Sequence, residues 1–140
     1  MVSWKRSLGE RPDRWSLKRA KIKTRGTVRP AISTTMFLSH VSDAREWFEV
    51  LQTTSRCQTA VMNLEPGSAS ADELEAHPES DQVLLVLEGE VLAEIGEDHA
   101  HMRVGDVVVI PAGIRHRFEN ETAGAVRTFS VYAPPAYPGR

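Results

Sequence analysis

Short apolar runs separated by glycine and proline are the feature that most limits what this chain can fold into. Examples are "VLLVL" over residues 83–87 and "VVVI" over residues 107–110, which are followed closely by Gly89 and Pro111. Runs this short, punctuated by turn-forming residues about every 8 to 12 positions, are typical of the strands of an all-β sandwich or barrel. We therefore predict an all-β domain.

Strands are expected in four segments beyond residue 56. These segments are 57–67, 82–97, 99–113 and 125–135. The second segment would hold two strands that meet at a turn around Gly89. The third would turn at Gly105 before the run "VVVI", which we expect to be buried.

A short helix is predicted ahead of these strands, over residues 43–52. Ser42 is a suitable N-cap for this helix. Four apolar side chains would then fall on one helical face, namely Trp47, Phe48, Val50 and Leu51.

Composition places the chain among ordinary globular proteins. It has 140 residues, of which 41% are hydrophobic and 26% charged, and these values argue against wholesale disorder. Its apolar runs are far shorter than the roughly 18 residues that a membrane span needs, and no secretory signal pattern follows the first methionine. Cys57 is the only cysteine, which excludes an internal disulfide framework and favours a cytoplasmic setting.

Charge is distributed unevenly between an N-terminal arm and the rest of the chain. Residues 1–30 contain ten Lys and Arg against two acidic residues, whereas the remaining residues contain seven basic and 17 acidic ones. We therefore divide the chain into a basic, disordered extension over residues 1–35 and a β-barrel domain over residues 36–140. Three other interpretations of the arm stay open: a nucleic-acid-binding arm with stacking tryptophans, an organellar transit peptide, and translation that begins at Met36.

Two polar stretches could meet inside such a barrel. Glu75 and His77 are two residues apart, so in an extended segment their side chains project from the same face. His116 follows the rigid turn "PAGIR", and Gln82 opens another predicted strand. Two imidazoles and one carboxylate are the ligand types of open first-row transition-metal sites, and Gln82 could add a neutral carbonyl oxygen.

Two other pairs of polar residues are weaker candidates. His99 and His101 have ligand spacing, but they alternate on a predicted strand near a turn, and we expect them on the exposed face of a sheet. Arg115 and Arg117 flank His116, so strand alternation predicts that both arginines point away from it.

The stretch "GDVVVIPAGIRHRFEN" resembles the second signature motif of the cupin superfamily, G-x5-P-x-G-x2-H-x3-N. Every fixed position matches: Gly105, Pro111, Gly113, His116 and Asn120. The stretch "DELEAHPESDQVLLVLEG" resembles the first motif, G-x5-H-x-H-x3,4-E-x6-G, with Glu75 in place of the first histidine and Gln82 in place of the glutamate. This variant first motif and the closing "VYAPPAYP" are similar to those of small single-domain bacterial cupins.

The resemblance implies a double-stranded β-helix, the jelly-roll barrel of cupins. It implies a divalent transition metal (Mn, Fe, Ni, Co or Zn) in a pocket between the two sheets, held by Glu75, His77, Gln82 and His116. The implied function is that of a metal-dependent isomerase, lyase or oxygenase acting on a small polar or sugar-like molecule. The resemblance also implies a homodimer.

The two departures from the first motif leave the metal open. The exchange keeps one carboxylate among the four side chains, but the amide of Gln82 is a weaker ligand than a carboxylate. The alternative is an empty polar pocket in a non-catalytic ligand-binding or sensor protein. A further alternative is a nucleic-acid-associated protein that uses the basic arm, with the barrel as a dimerising or ligand-sensing scaffold.

Overall fold

The computed structural model describes residues 36–139, and the extension predicted over residues 1–35 lies outside the described residues. A 3-10 turn at Val41–Asp43 precedes eight strands. The strands are β1 (Phe48–Thr53), β2 (Gln58–Leu64), β3 (Asp81–Glu88), β4 (Val91–Ile95), β5 (Asp98–Met102), β6 (Val107–Ile110), β7 (His116–Glu119) and β8 (Val126–Ala133). In this part of the chain, no helix is long and apolar enough to span a membrane.

The strands form two antiparallel sheets that share one core. The five-stranded sheet has the order β1-β2-β8-β3-β6, and the three-stranded sheet has the order β5-β4-β7. Alternate residues of strands from both sheets fill the interior, including Leu84, Val86 and Phe118, which are almost fully buried. The predicted all-β double-stranded β-helix is therefore confirmed.

The predicted strand segments and their turns are also confirmed. Gly89 connects β3 to β4 with a φ of 77°, a conformation that favours glycine. A Cβ atom at this position would lie 2.4 Å from the carbonyl oxygen of Ala125, so no other residue fits without a backbone shift. This turn carries the chain from the five-stranded sheet to the three-stranded one.

The predicted helix over residues 43–52 is wrong. Residues from Phe48 onward form β1, which pairs antiparallel with β2, and Phe48 lies opposite Met62. Ser42 lies inside the short 3-10 turn, whose N-cap is His40. The apolar helical face was a weak local signal, and antiparallel pairing with the next strand, β2, overrode it.

The predicted burial of the whole run "VVVI" is wrong as well. Val107 and Val109 are 62% and 59% exposed, whereas Ile110 is buried. The run forms β6, which is the edge strand of its sheet and has only one face against the core. Its side chains therefore alternate between core and solvent, as in any half-buried strand.

Asn120, the last fixed residue of the second motif, supports the loop after β7. Its buried side chain donates hydrogen bonds to the carbonyl oxygens of Leu64 (2.9 Å) and Gly124 (2.8 Å). Its Oδ1 accepts from the backbone and the hydroxyl of Thr122. Both the donor and the acceptor groups of this amide are thus used to hold the loop, which explains why the motif has an asparagine here.

Candidate functional site

A cavity between the two sheets brings together all four residues predicted to hold a metal. Its lining includes residues of β2, β3, β7 and β8, together with the loop that carries Glu75 and His77. It offers about 40 Å³ to the centres of water-sized molecules, and about 10 to 15 Å³ of such space holds one water. Glu75, His77, Gln82 and His116 therefore line one small cavity, as the spacing of the motifs predicts.

Backbone hydrogen bonds fix the loop with Glu75 and His77 against β7. The N–H of Glu75 donates to the carbonyl oxygen of His116 (3.0 Å), and the N–H of His116 donates back (2.8 Å). The carbonyl oxygen of His77 accepts from the N–H of Gly113. The loop is thus held by the same turn that positions His116.

His116 presents one ring nitrogen to the cavity with its lone pair free. The residue is 7% exposed, and its Nδ1 lies 2.9 Å from the carbonyl oxygen of Ile114. Because a carbonyl oxygen can only accept, Nδ1 carries a proton, and in the neutral form of the ring Nε2 holds the lone pair. This is the tautomer that a metal ligand or a hydrogen-bond acceptor requires.

His77 lies beside His116, with 5.2 Å between the ring centroids. Burial, followed by the nearby His116, lowers the pKa of His77, and Glu75 partly opposes this shift. The His77 imidazole is therefore neutral at neutral pH and able to donate its lone pair.

Gln82 has a buried acceptor without a partner. Its Nε2 donates to Ser130 Oγ at 3.1 Å, and this bond fixes the amide on β3. Among the described residues, its Oε1 has no hydrogen-bond partner, although the side chain is only 4% exposed. Leaving such an oxygen unsatisfied costs about 1 to 3 kcal/mol, so a ligand in the cavity would relieve the cost.

The side chains of these four residues are chemically suitable for binding a divalent ion, but they do not all lie enclosed within the cavity. Two imidazoles, one carboxylate and one unpartnered amide oxygen are suitable donors. Glu75, however, is exposed at the cavity mouth. In the described part of the chain, no three His, Cys, Asp or Glu side chains form a group that could hold a metal. The structure thus brings the donors to one cavity without gathering the ionisable ones into a closed shell.

Two tyrosines complete the cavity, and they were not predicted from the sequence. Tyr132 and Tyr137 meet His77 edge-on, with ring centroids 5.0 and 5.5 Å from it. Their hydroxyl groups are hydrogen-bonded to each other, and burial raises the pKa of both. Tyr132 alternates with Ser130 on β8, so strand periodicity could have predicted that both side chains lie on the same face of the sheet. No sequence pattern predicts the position of Tyr137.

The weaker candidates lie outside the cavity, as expected. Arg115 donates to the carbonyl oxygen of Leu74, and Arg117 donates to that of Ala71. Both arginines therefore hold the loop that precedes Glu75 rather than a ligand. The side chain of His99 is 63% exposed, and His101 is exposed on the same strand.

Comparison with known proteins agrees with this architecture. The family model for the cupin domain matches residues 60–132, which is more than half of the chain. YrkC, an uncharacterized protein of Bacillus subtilis, is 31% identical over 71 residues. The HTH-type transcriptional regulator PuuR of Escherichia coli is 30% identical over 73 residues. These matches cover 46% and 52% of this chain, but only 38% of the length of each relative.

Solved structures share the fold over most of the described residues. BH2720 from Bacillus halodurans is 29% identical, with a TM-score of 0.66 over 71% of this chain and 80% of that one. A sugar phosphate isomerase of the cupin superfamily from Silicibacter pomeroyi is 25% identical, with a TM-score of 0.55 over 64% and 60% of the two chains. With the two motifs, the two-sheet barrel and the matching family model, this chain belongs to the cupin family.

Proposed function

We propose that this protein binds a divalent transition metal in the cavity and acts there on a small polar or sugar-like molecule. The metal would be held by Glu75, His77, Gln82 and His116. The observation that carries the proposal is the buried, unpartnered Oε1 of Gln82, in a cavity that it shares with the imidazoles of His77 and His116. A buried polar oxygen of this kind calls for a partner in the cavity.

Contacts within the protein hold three of the four proposed ligands in a form suited to metal binding. The carbonyl oxygen of Ile114 holds His116 in the tautomer with a free Nε2. Ser130 fixes the amide of Gln82, and burial keeps His77 neutral. A bound divalent ion would supply a Lewis acid, or a redox centre if it is iron or manganese. Glu75 would leave the site with a net charge of about +1, which suits an oxygen-bearing substrate.

The proposed substrate class rests on the cavity lining. Apart from Glu75, no charged side chain is found among the described residues that line it. The rest of the lining combines polar groups and aromatic rings with the apolar side chains of Ala60, Met62 and Ala71. This mixture suits a compact molecule that carries hydroxyl or carbonyl groups. The solved isomerase from Silicibacter pomeroyi acts on a sugar phosphate, and a sugar-like substrate is proposed here by analogy. Isomerase, lyase and oxygenase chemistry can all use this donor set.

A metal-free ligand-binding or sensor function is the second candidate. The exposed position of Glu75 and the absence of a three-residue ionisable cluster in the described part of the chain favour it. In that case Gln82 Oε1 would accept a hydrogen bond directly from the ligand. The similarity to PuuR, a transcriptional regulator, is compatible with this alternative.

Elemental analysis of untagged protein separates these two functions. The protein would be offered Mn, Fe, Co, Ni and Zn in turn and then freed of unbound ions. We expect about one ion per chain for the preferred metal, with loss in His116→Ala and Glu75→Ala. His101→Ala is the matched control, because His101 is an exposed histidine outside the cavity. Failure of every metal to remain bound would refute the metal site and favour the sensor.

A further inference from the structure

The segment that follows β8, residues 134–139 (the C-terminal segment), is fastened to the barrel by one buried side chain. Gln58, at the start of β2, is 0% exposed. Its Oε1 accepts from the backbone N–H groups of Ala136 (3.2 Å) and Tyr137 (3.0 Å). Its Nε2 donates to the carbonyl oxygen of Tyr137 at 2.9 Å. Three hydrogen bonds therefore hold the backbone on either side of one aromatic residue.

The amide of Gln58 has a single possible orientation. Its second N–H donates to Thr53 Oγ1 at 3.1 Å, so both of its donors and its acceptor oxygen are used. A flipped amide would place its oxygen against the carbonyl oxygen of Tyr137, where two acceptors repel. Beyond Tyr137, Gly139 lies against Thr53, and a Cβ atom on Gly139 would be 3.2 Å from Thr53 Cγ2. Contacts with Gln58 and with Thr53 thus fix the position of the C-terminal segment at two points.

This anchoring places the ring of Tyr137 at the cavity. The ring packs on Phe48, with 4.8 Å between centroids, and on Tyr132, with 5.2 Å. Its edge contact with His77 covers one of the proposed metal ligands. Tyr137 is half-buried, so its ring is partly exposed to solvent while its edge contacts His77.

We propose that Tyr137 limits which molecules reach His77 and His116, and that Gln58 is the positioning residue that holds Tyr137 in place. The free space beside the imidazoles amounts to about 40 Å³, enough for water or an ion, so a larger ligand must displace this ring or fit beside it. The residue thereby selects compact polar molecules that can hydrogen-bond to a phenol or pack on its face. This inference rests on the proposed function only in taking the cavity as the ligand site.

The purely structural alternative is that the C-terminal segment caps the barrel without controlling access. Both alternatives predict some loss of stability when the contacts are removed, so stability alone does not discriminate. The rate at which a reagent larger than water modifies the cavity histidines does discriminate. Diethyl pyrocarbonate acylates neutral imidazoles and serves as this reagent.

The experiment measures acylation of each histidine by peptide mass spectrometry, on folded protein treated with a chelator. His99 and His101, which are exposed, provide internal reference rates in the same sample. We expect Tyr137→Ala to raise the relative rate at His77 by about tenfold or more, and Tyr137→Phe to stay near the wild-type rate because the ring remains. Gln58→Met should raise the rate with the ring still present, since three hydrogen bonds that hold the segment are lost.

Two outcomes would overturn the proposal. An unchanged rate at His77 in Tyr137→Ala would show that the ring does not limit access. An unchanged rate in a folded Gln58→Met variant would show that the amide does not position the ring. If Gln58→Met does not fold, Tyr137→Ala still decides the role of the ring, because its side chain lies at the half-buried edge. Since the protein is metal-free in this experiment, the result is independent of whether a metal binds.

Discussion

His77 and His116 lie side by side in the cavity, with 5.2 Å between their ring centroids, although 38 residues separate them in the chain. The pairing follows from the short backbone bridge between Glu75 and His116, which joins the first motif to the second. Because Nδ1 of His116 is engaged with the carbonyl oxygen of Ile114, Nε2 is the nitrogen of that ring that is available to a ligand.

Gln82→Glu should strengthen metal binding and weaken the metal-free protein. A carboxylate is a better ligand than an amide, and it would stand where the first cupin motif has its glutamate. Without a metal, the same carboxylate would be buried beside Ser130 with its charge unpaired, which is costly. Thermal denaturation with and without the preferred metal would show a lower Tm for the metal-free variant and a larger shift on metal addition. A metal-induced shift no larger than that of the wild type would contradict a ligand role for position 82.

In chelator-treated protein, His77 should make stability depend on pH. Its folded-state pKa is lowered below the ordinary value of 6.5, so the unfolded chain takes up protons more readily than the folded one. The associated stability is present above about pH 6.5 and is lost as the pH falls. His77→Gln should therefore destabilise the protein less at about pH 5 than at about pH 7.5, measured by urea denaturation. An equal effect at both pH values would contradict the lowered pKa of His77, and His101→Gln is the exposed control.

Val86→Ala and Val109→Ala form a matched pair that tests the two faces of the five-stranded sheet. Val86 is 1% exposed in the core, whereas Val109 is 59% exposed on the edge strand. Loss of two buried methyl groups should lower the free energy of unfolding by about 2 kcal/mol at Val86. At Val109 we expect a change within about 0.5 kcal/mol. Equal losses in a monomeric sample would mean that β6 does not have the register described.

The homodimer implied by the cupin resemblance stays a prediction, and the outer face of β6 is where it can be tested. Val83, Val107 and Val109 form an exposed apolar surface across β3 and the open edge strand. Within residues 36–139 no strand pairs with the outer edge of β6, and an edge strand with this surface is able to pair with a second copy. Light scattering after size exclusion should give a dimer mass for the wild type and a monomer for Val107→Glu. A dimer that survives this change would place the interface elsewhere.

The sequence was sufficient for the architecture because the glycines and prolines that end each strand are local signals. It also predicted which four side chains meet in the cavity, since the two motifs carry that information. The prediction of a helix was wrong at β1, because residues 48–53 form a strand by pairing with β2. The helical spacing of their apolar side chains does not reveal that pairing. The sequence also missed Tyr137, whose place depends on Gln58, 79 residues earlier in the chain. The exposed position of Glu75 likewise depends on loop packing that spacing does not encode.

The proposed metal site is tested most directly by anomalous X-ray diffraction from crystals loaded with Mn or Co. We predict one anomalous peak per chain, at about 2.0 to 2.2 Å from a ring nitrogen of His77 and from one of His116, with Gln82 Oε1 also in contact. A peak beside His99 and His101 on the outer sheet face, or no peak in the cavity, would contradict the account.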